Sequence, residues 1–118
     1  MVSPRQIDLA GLAGTLTLSV NEDGWTQVVL HRSSERCRLG AETFDLIAGN
    51  LRVFLGRQMN SGMKWVFSLS ELHSSVYGAH VEGMVILTVQ DARGFVLATL
   101  EVSSEQQKEW LDLLSVQS

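Results

Sequence analysis

Apolar and polar positions along the chain change period twice, and those changes predict its elements. From Thr15 to Val20 they alternate strictly, with Leu16, Leu18 and Val20 on one face, the mark of a half-buried strand. Asn21-Glu22-Asp23-Gly24 is a turn signal in which Gly24 can take a positive φ. Trp25 to His31 resumes the alternation, so the segment reads as a hairpin. Ser33-Ser34-Glu35 breaks it, and Arg36 to Leu39 predicts a short third strand with Cys37 and Leu39 inward. Between Ala41 and Gln58 the period lengthens. Phe44, Ile47, Ala48, Leu51, Phe54 and Leu55 recur at helical spacing and line one face, with Gly40 as N-cap and Gly56 near the stop. Leu46 and Val53 fall almost opposite that face, as a second and narrower apolar stripe.

The second half returns to strands. Trp65, Phe67 and Leu69 alternate with polar neighbours, and Leu72 to Ala79 does so more weakly. Met84 to Val89 is apolar on both parities, which predicts a central strand covered on both faces. Asp91-Ala92-Arg93-Gly94 is a hairpin turn with Gly94 at the left-handed position, and Phe95 to Val102 pairs back. Ser103 and Ser104 followed by Gln106 and Gln107 give a capping-box start to a short final helix carrying Trp110, Leu111, Leu113 and Leu114. Met1 to Gly14 shows no periodicity that assigns it. The expected fold is α+β: a mainly antiparallel twisted sheet of about five to seven strands, one long mid-chain helix and a short C-terminal helix. The sequence shows no internal repeat.

Composition narrows the class. With 118 residues, 45% of them apolar, the chain suits a single domain over residues 1–118 with one core. Thirteen acidic against nine basic residues give a net charge of −4, which weighs against a general nucleic-acid binder. Met84 to Val89 is far shorter than the roughly 20 residues that span a bilayer, so no membrane association is expected. Asp8 interrupts the apolar N-terminal stretch, against a secretory leader. Cys37 is the only cysteine, which excludes an intramolecular disulfide and points to a reducing, cytoplasmic setting.

Candidate chemistry is sparse. Glu71 and His73, and His80 and Glu82, are each two apart and could share a strand face, but the two histidines differ in parity and no third ligand is evident. They read as surface residues flanking a turn, with no metal, no cofactor and no catalytic residue expected. Arg36 and Arg38 flank Cys37 and could activate its thiol, yet alternation turns them away from it, so a structural cysteine is expected. Gly11-Leu12-Ala13-Gly14 precedes a strand and lacks the glycine pattern of a phosphate loop. His31, Arg32, Arg36 and Arg38 lie within one short stretch near Trp25, a composition suited to a small anion or to single-stranded nucleic acid.

The order of antiparallel strands, mid-chain helix, further strands and terminal helix is similar to small bacterial α+β families, and to whirly-type folds that bind single-stranded nucleic acid. No motif extends that similarity to particular residues. The surplus apolar surface decides the leading expectation: a small bacterial protein-interaction module without enzymatic activity, forming a homodimer or meeting a protein partner through Leu46 and Val53 or an exposed sheet edge. The alternative is anion or single-stranded nucleic-acid binding through Arg32, Arg36, Arg38 and Trp25.

Overall fold

Each alternating segment becomes a strand of one of two antiparallel meanders. The computed structural model describes residues 5–56 and 62–116. Strands β1 (Arg5–Ala10), β2 (Thr15–Val20), β3 (Trp25–Arg32) and β4 (Glu35–Thr43) form the first sheet in sequence order, and α1 (Phe44–Gly56) follows. Strands β5 (Lys64–Ser68), β6 (Ser75–Val81), β7 (Met84–Gln90) and β8 (Val96–Val102) form the second, followed by α2 (Ser104–Val116). The chain is therefore the same ββββα unit twice, a repeat of topology that the sequence does not display.

The two units exchange their helices. α1 packs against β5 of the second unit, and α2 against β1 of the first. The Trp110 indole N–H donates to the Ala10 carbonyl at 2.9 Å, fixing α2 on β1. The Phe54 ring stacks on His80 at 4.6 Å between centroids and sits over Gly78, where a Cβ would come within 2.5 Å of it. His80 Nε2 also lies 2.9 Å from the Phe54 carbonyl oxygen. The loops repeat the exchange. Glu71 N–H donates to the Ala41 carbonyl at 3.0 Å, and Leu12 N–H donates to that of Glu101 at 2.8 Å. Ala41 and Glu101 each lie three residues before the start of their own helix, so these contacts are counterparts. Inward residues of both sheets and both helices, among them Leu18, Leu39, Leu51, Phe67, Leu87 and Trp110, join in one core.

The fold class is α+β and antiparallel, but three expectations need correction. Instead of a single sheet of five to seven strands, the described residues form two sheets of four. The mid-chain helix is 13 residues long, equal to the C-terminal one, and begins at Phe44; Gln58 lies outside the described residues. Gly40 is no N-cap. It lies in β4 beside a bulge, at φ +137°, with the Glu71 backbone pressed against it. The unassigned N-terminal stretch contains β1, whose Ile7 and Leu9 are buried. Gly24 and Gly94 both adopt φ +89° in turns of like chemistry, each after an Asp whose carboxylate accepts backbone N–H groups. The capping box forms: Gln106 N–H donates to Ser103 Oγ, and the Gln106 side chain lies 3.0 Å from the Ser103 backbone nitrogen.

Candidate interaction surface

Because the two units share one topology, each serves as a reference for the other, and their outer sheet faces differ sharply. Alternation and register put Gln6, Asp8, Thr17, Ser19, Gln27 and Arg38 on the outer face of the first sheet, around a buried Val29. These groups satisfy one another: Thr17 donates to Asp8 at 3.0 Å, and Arg38 donates to Gln27 Oε1 at 2.6 and 3.1 Å. On the second sheet the same side carries Trp65 opposite Tyr77, Ala79 opposite Ile86, and Val81 opposite Met84, with Thr88, Thr99 and Glu101 among them. Trp65 is 55% exposed, and Tyr77, Ala79, Met84 and Ile86 are half-buried with no layer over them. The Trp65 indole is held by the Ser68 hydroxyl at 2.9 Å, which in turn meets Ser75.

This apolar face runs to the edge strand β8. Phe95 is 63% and Val96 58% exposed, Leu97 is exposed beside them, and the register slips there between Val89 and Gln90. Arg93 lies over the Phe95 ring at 5.5 Å. On α1, Leu46 and Val53 are exposed at 38% and 52%, two turns apart, while Phe44, Ile47, Ala48, Leu51 and Leu55 are buried. β1 packs within the first sheet and leaves that stripe uncovered.

The arginine-rich stretch does not converge. Trp25 and Arg32 stand at opposite ends of β3, seven residues and on the order of 23 Å apart. Arg38 is engaged by Gln27 and forms an ion pair with Glu71, which leaves Arg32 and Arg36 at the exposed hairpin end. Cys37 corrects an expectation, for it is exposed. It faces Leu30 across the ladder, but on the edge strand where nothing covers it, whereas Leu39 is fully buried. Glu71 is bound to Arg38, His73 is exposed at φ +55°, His80 is stacked on Phe54, and Glu82 sits in the β6–β7 turn at φ +51°. Among the described residues no three His, Cys, Asp or Glu side chains are grouped to hold a metal. No helix among the described residues is long and apolar enough to cross a membrane.

One carboxylate has a shifted affinity for its proton. Glu42, nearly buried at the end of β4, accepts hydrogen bonds from the Ser70 hydroxyl, from Thr43 N–H at 2.9 Å and from Ser70 N–H at 3.2 Å. The Ser70 hydroxyl contributes most to holding its pKa below the ordinary range, followed by Thr43 N–H, against the opposing effect of burial. Glu42 thus ties the first sheet to the loop after β5.

Sequence reasoning missed Trp65, Tyr77 and Ile86 as surface residues. Alternation puts Trp65 on one apolar face with Phe67 and Leu69, and the bulge between Trp65 and Phe67 turns it outward. For Ile86 the signal was the apolar character of Met84 to Val89 on both parities, which promised cover on both faces where the chain supplies it on one. Comparison with protein-family models and with curated protein sequences finds no match for this chain.

Proposed function

We propose that this chain is a non-enzymatic protein-interaction module that works by self-association. The observation carrying this reading is the contrast between equivalent faces: mostly polar and internally paired around Val29 on the first sheet, and richer in exposed aromatic and aliphatic groups, beside Thr88, Thr99 and Glu101, on the second. A fold that can be soluble with one kind of face has no structural need of the other, and a large uncovered apolar patch is most often an interface. Leu46 and Val53 offer a further exposed stripe and stand as the other candidate contact. A lone cysteine, and no second one to pair with in the chain, fit a cytoplasmic setting.

Light scattering on the purified chain tests the reading. The expected mass is about twice 13.0 kDa. A strictly monomeric chain at high concentration removes self-association. Binding of single-stranded oligonucleotide at low salt, lost in an Arg36→Ala, Arg38→Ala double variant, would favour the anion-binding alternative instead.

A further inference from the structure

Two antiparallel meanders leave four edge strands, and among the described residues three of them are guarded. β1 carries Arg5 and Asp8, and its Ala10 carbonyl is taken by Trp110 of α2. β4 carries Glu35, Arg36 and Arg38, and its Ala41 carbonyl is taken by Glu71. β5 carries Lys64, is broken by a bulge at Val66 and lies against α1. Charges, bulges and covering segments are the devices by which sheet proteins keep their edges from pairing. β8 has few of them. From Val96 to Leu100 it reads Val-Leu-Ala-Thr-Leu, without a charge or a proline, and Phe95 precedes it. The loop that touches it, with Leu12 N–H on the Glu101 carbonyl and Gly11 against Leu100 and Glu101, lies at the far end.

We infer that two copies of this chain join β8 to β8, antiparallel about a two-fold axis, turning two four-stranded sheets into one of eight strands. The inference rests on the self-association reading above and names its contact. Leu12 shows that the Glu101 carbonyl points away from β7, and alternation turns the backbone groups of Thr99 the same way, into the unpaired edge. Charge selects this edge over its counterpart. Pairing β4 with itself about Cys37 sets Arg36 opposite Arg38, like charges in register, whereas the stretch from Phe95 to Leu100 sets no charge against another. The joined sheet also makes the outer faces around Trp65, Tyr77, Ile86 and Val96 of the two copies one surface.

The test compares the wild-type chain with Leu97→Lys and Leu46→Lys by light scattering, with circular dichroism to establish folding. Amide exchange across residues 95–100 of the wild-type chain is followed against protein concentration. The expected result is a dimer for wild type and Leu46→Lys, a folded monomer for Leu97→Lys, and exchange at Val96 to Thr99 slowed at least tenfold at high concentration. A dimeric wild type whose Leu97→Lys variant is folded and still dimeric overturns the β8 contact and leaves self-association standing. So does loss of the dimer in Leu46→Lys alone. A monomeric wild type overturns both. If Leu97→Lys fails to fold, the exchange measurement decides: protection of the β8 amides that is independent of concentration in a dimeric chain overturns the contact.

Discussion

Gly40 lies directly against the carbonyl of Glu71: a Cβ built on it would stand 2.0 Å from that oxygen. The contact joins the two units, since Gly40 belongs to β4 and Glu71 to the loop after β5. Gly40 also holds φ +137°, which an L side chain rarely adopts. Gly40→Ala is therefore expected to lower stability by about 3 kcal/mol or more, from strain and displacement of the Glu71 backbone together. Gly24→Ala has a positive φ but open space around it, and is expected to cost only about 1–2 kcal/mol. Urea titration of both variants gives the comparison.

Glu42 makes stability depend on acid. Its folded pKa lies below its unfolded value, so its contribution is fully present above the unfolded pKa, about 4.5, and is lost as pH falls through the folded value. Glu42→Gln is expected to be less stable than wild type at pH 7, and the gap should narrow below about pH 4. Ser70→Ala is expected to reproduce part of that behaviour. Denaturation midpoints measured between pH 3 and 7 check both; a gap of constant size would contradict the assignment.

The two faces of α1 should respond oppositely to substitution. Leu51 is fully buried among both sheets' side chains, and Leu51→Ala is expected to cost about 2–5 kcal/mol through lost contacts and a cavity. Leu46 is exposed, so Leu46→Lys is expected to change stability by no more than about 0.5 kcal/mol. Equilibrium unfolding of the two variants under identical conditions measures both values.

Gly78 is the seat of the Phe54 ring. Gly78→Ala puts a methyl 2.5 Å from Cζ of that ring and forces it off His80. The expected cost is about 1–3 kcal/mol. Phe54→Leu shortens the side chain that meets the added methyl, so the two changes should couple, and the double variant should be more stable than the sum of the single effects implies. A double-mutant cycle that closes additively would show that the ring has room to move.

The strands from Thr15 to His31 were legible from strict alternation and those from Met84 to Val102 from a continuous apolar run, with glycine turns marking both hairpins; all are local signals. The capping box at Ser103 and Gln106 was legible for the same reason. What could not be read was which strands share a sheet. Periodicity says that Leu39 and Phe67 are inward, but nothing in it says that they belong to different sheets facing one core. β1 was missed because only Ile7 and Leu9 mark its buried side. Gly40 was misread because a helix N-cap and a glycine under a close backbone approach look alike in sequence. Cys37 has the parity of an inward residue, and only the placement of β4 at an edge exposes it. The Leu46 and Val53 stripe was visible from helical geometry alone, whereas the apolar outer face needed the register to show which residues stand side by side.

The exchange of helices between two like units has a consequence for how far assembly can go. Were the chain a symmetric pair of identical ββββα units, any adhesive edge on one would recur on the other, giving each particle a valence of two. Such particles need not stop at a pair; they can add end to end into open fibres unless the rotation happens to close. Holding both units in one polypeptide lets them differ, and here they do: each edge is bridged by a loop of the other unit, but β4 carries Arg36 and Arg38 where its counterpart β8 has no charge from Val96 to Leu100. With β8 as the contact inferred above, the particle would have a valence of one, and growth through that edge would terminate at two chains.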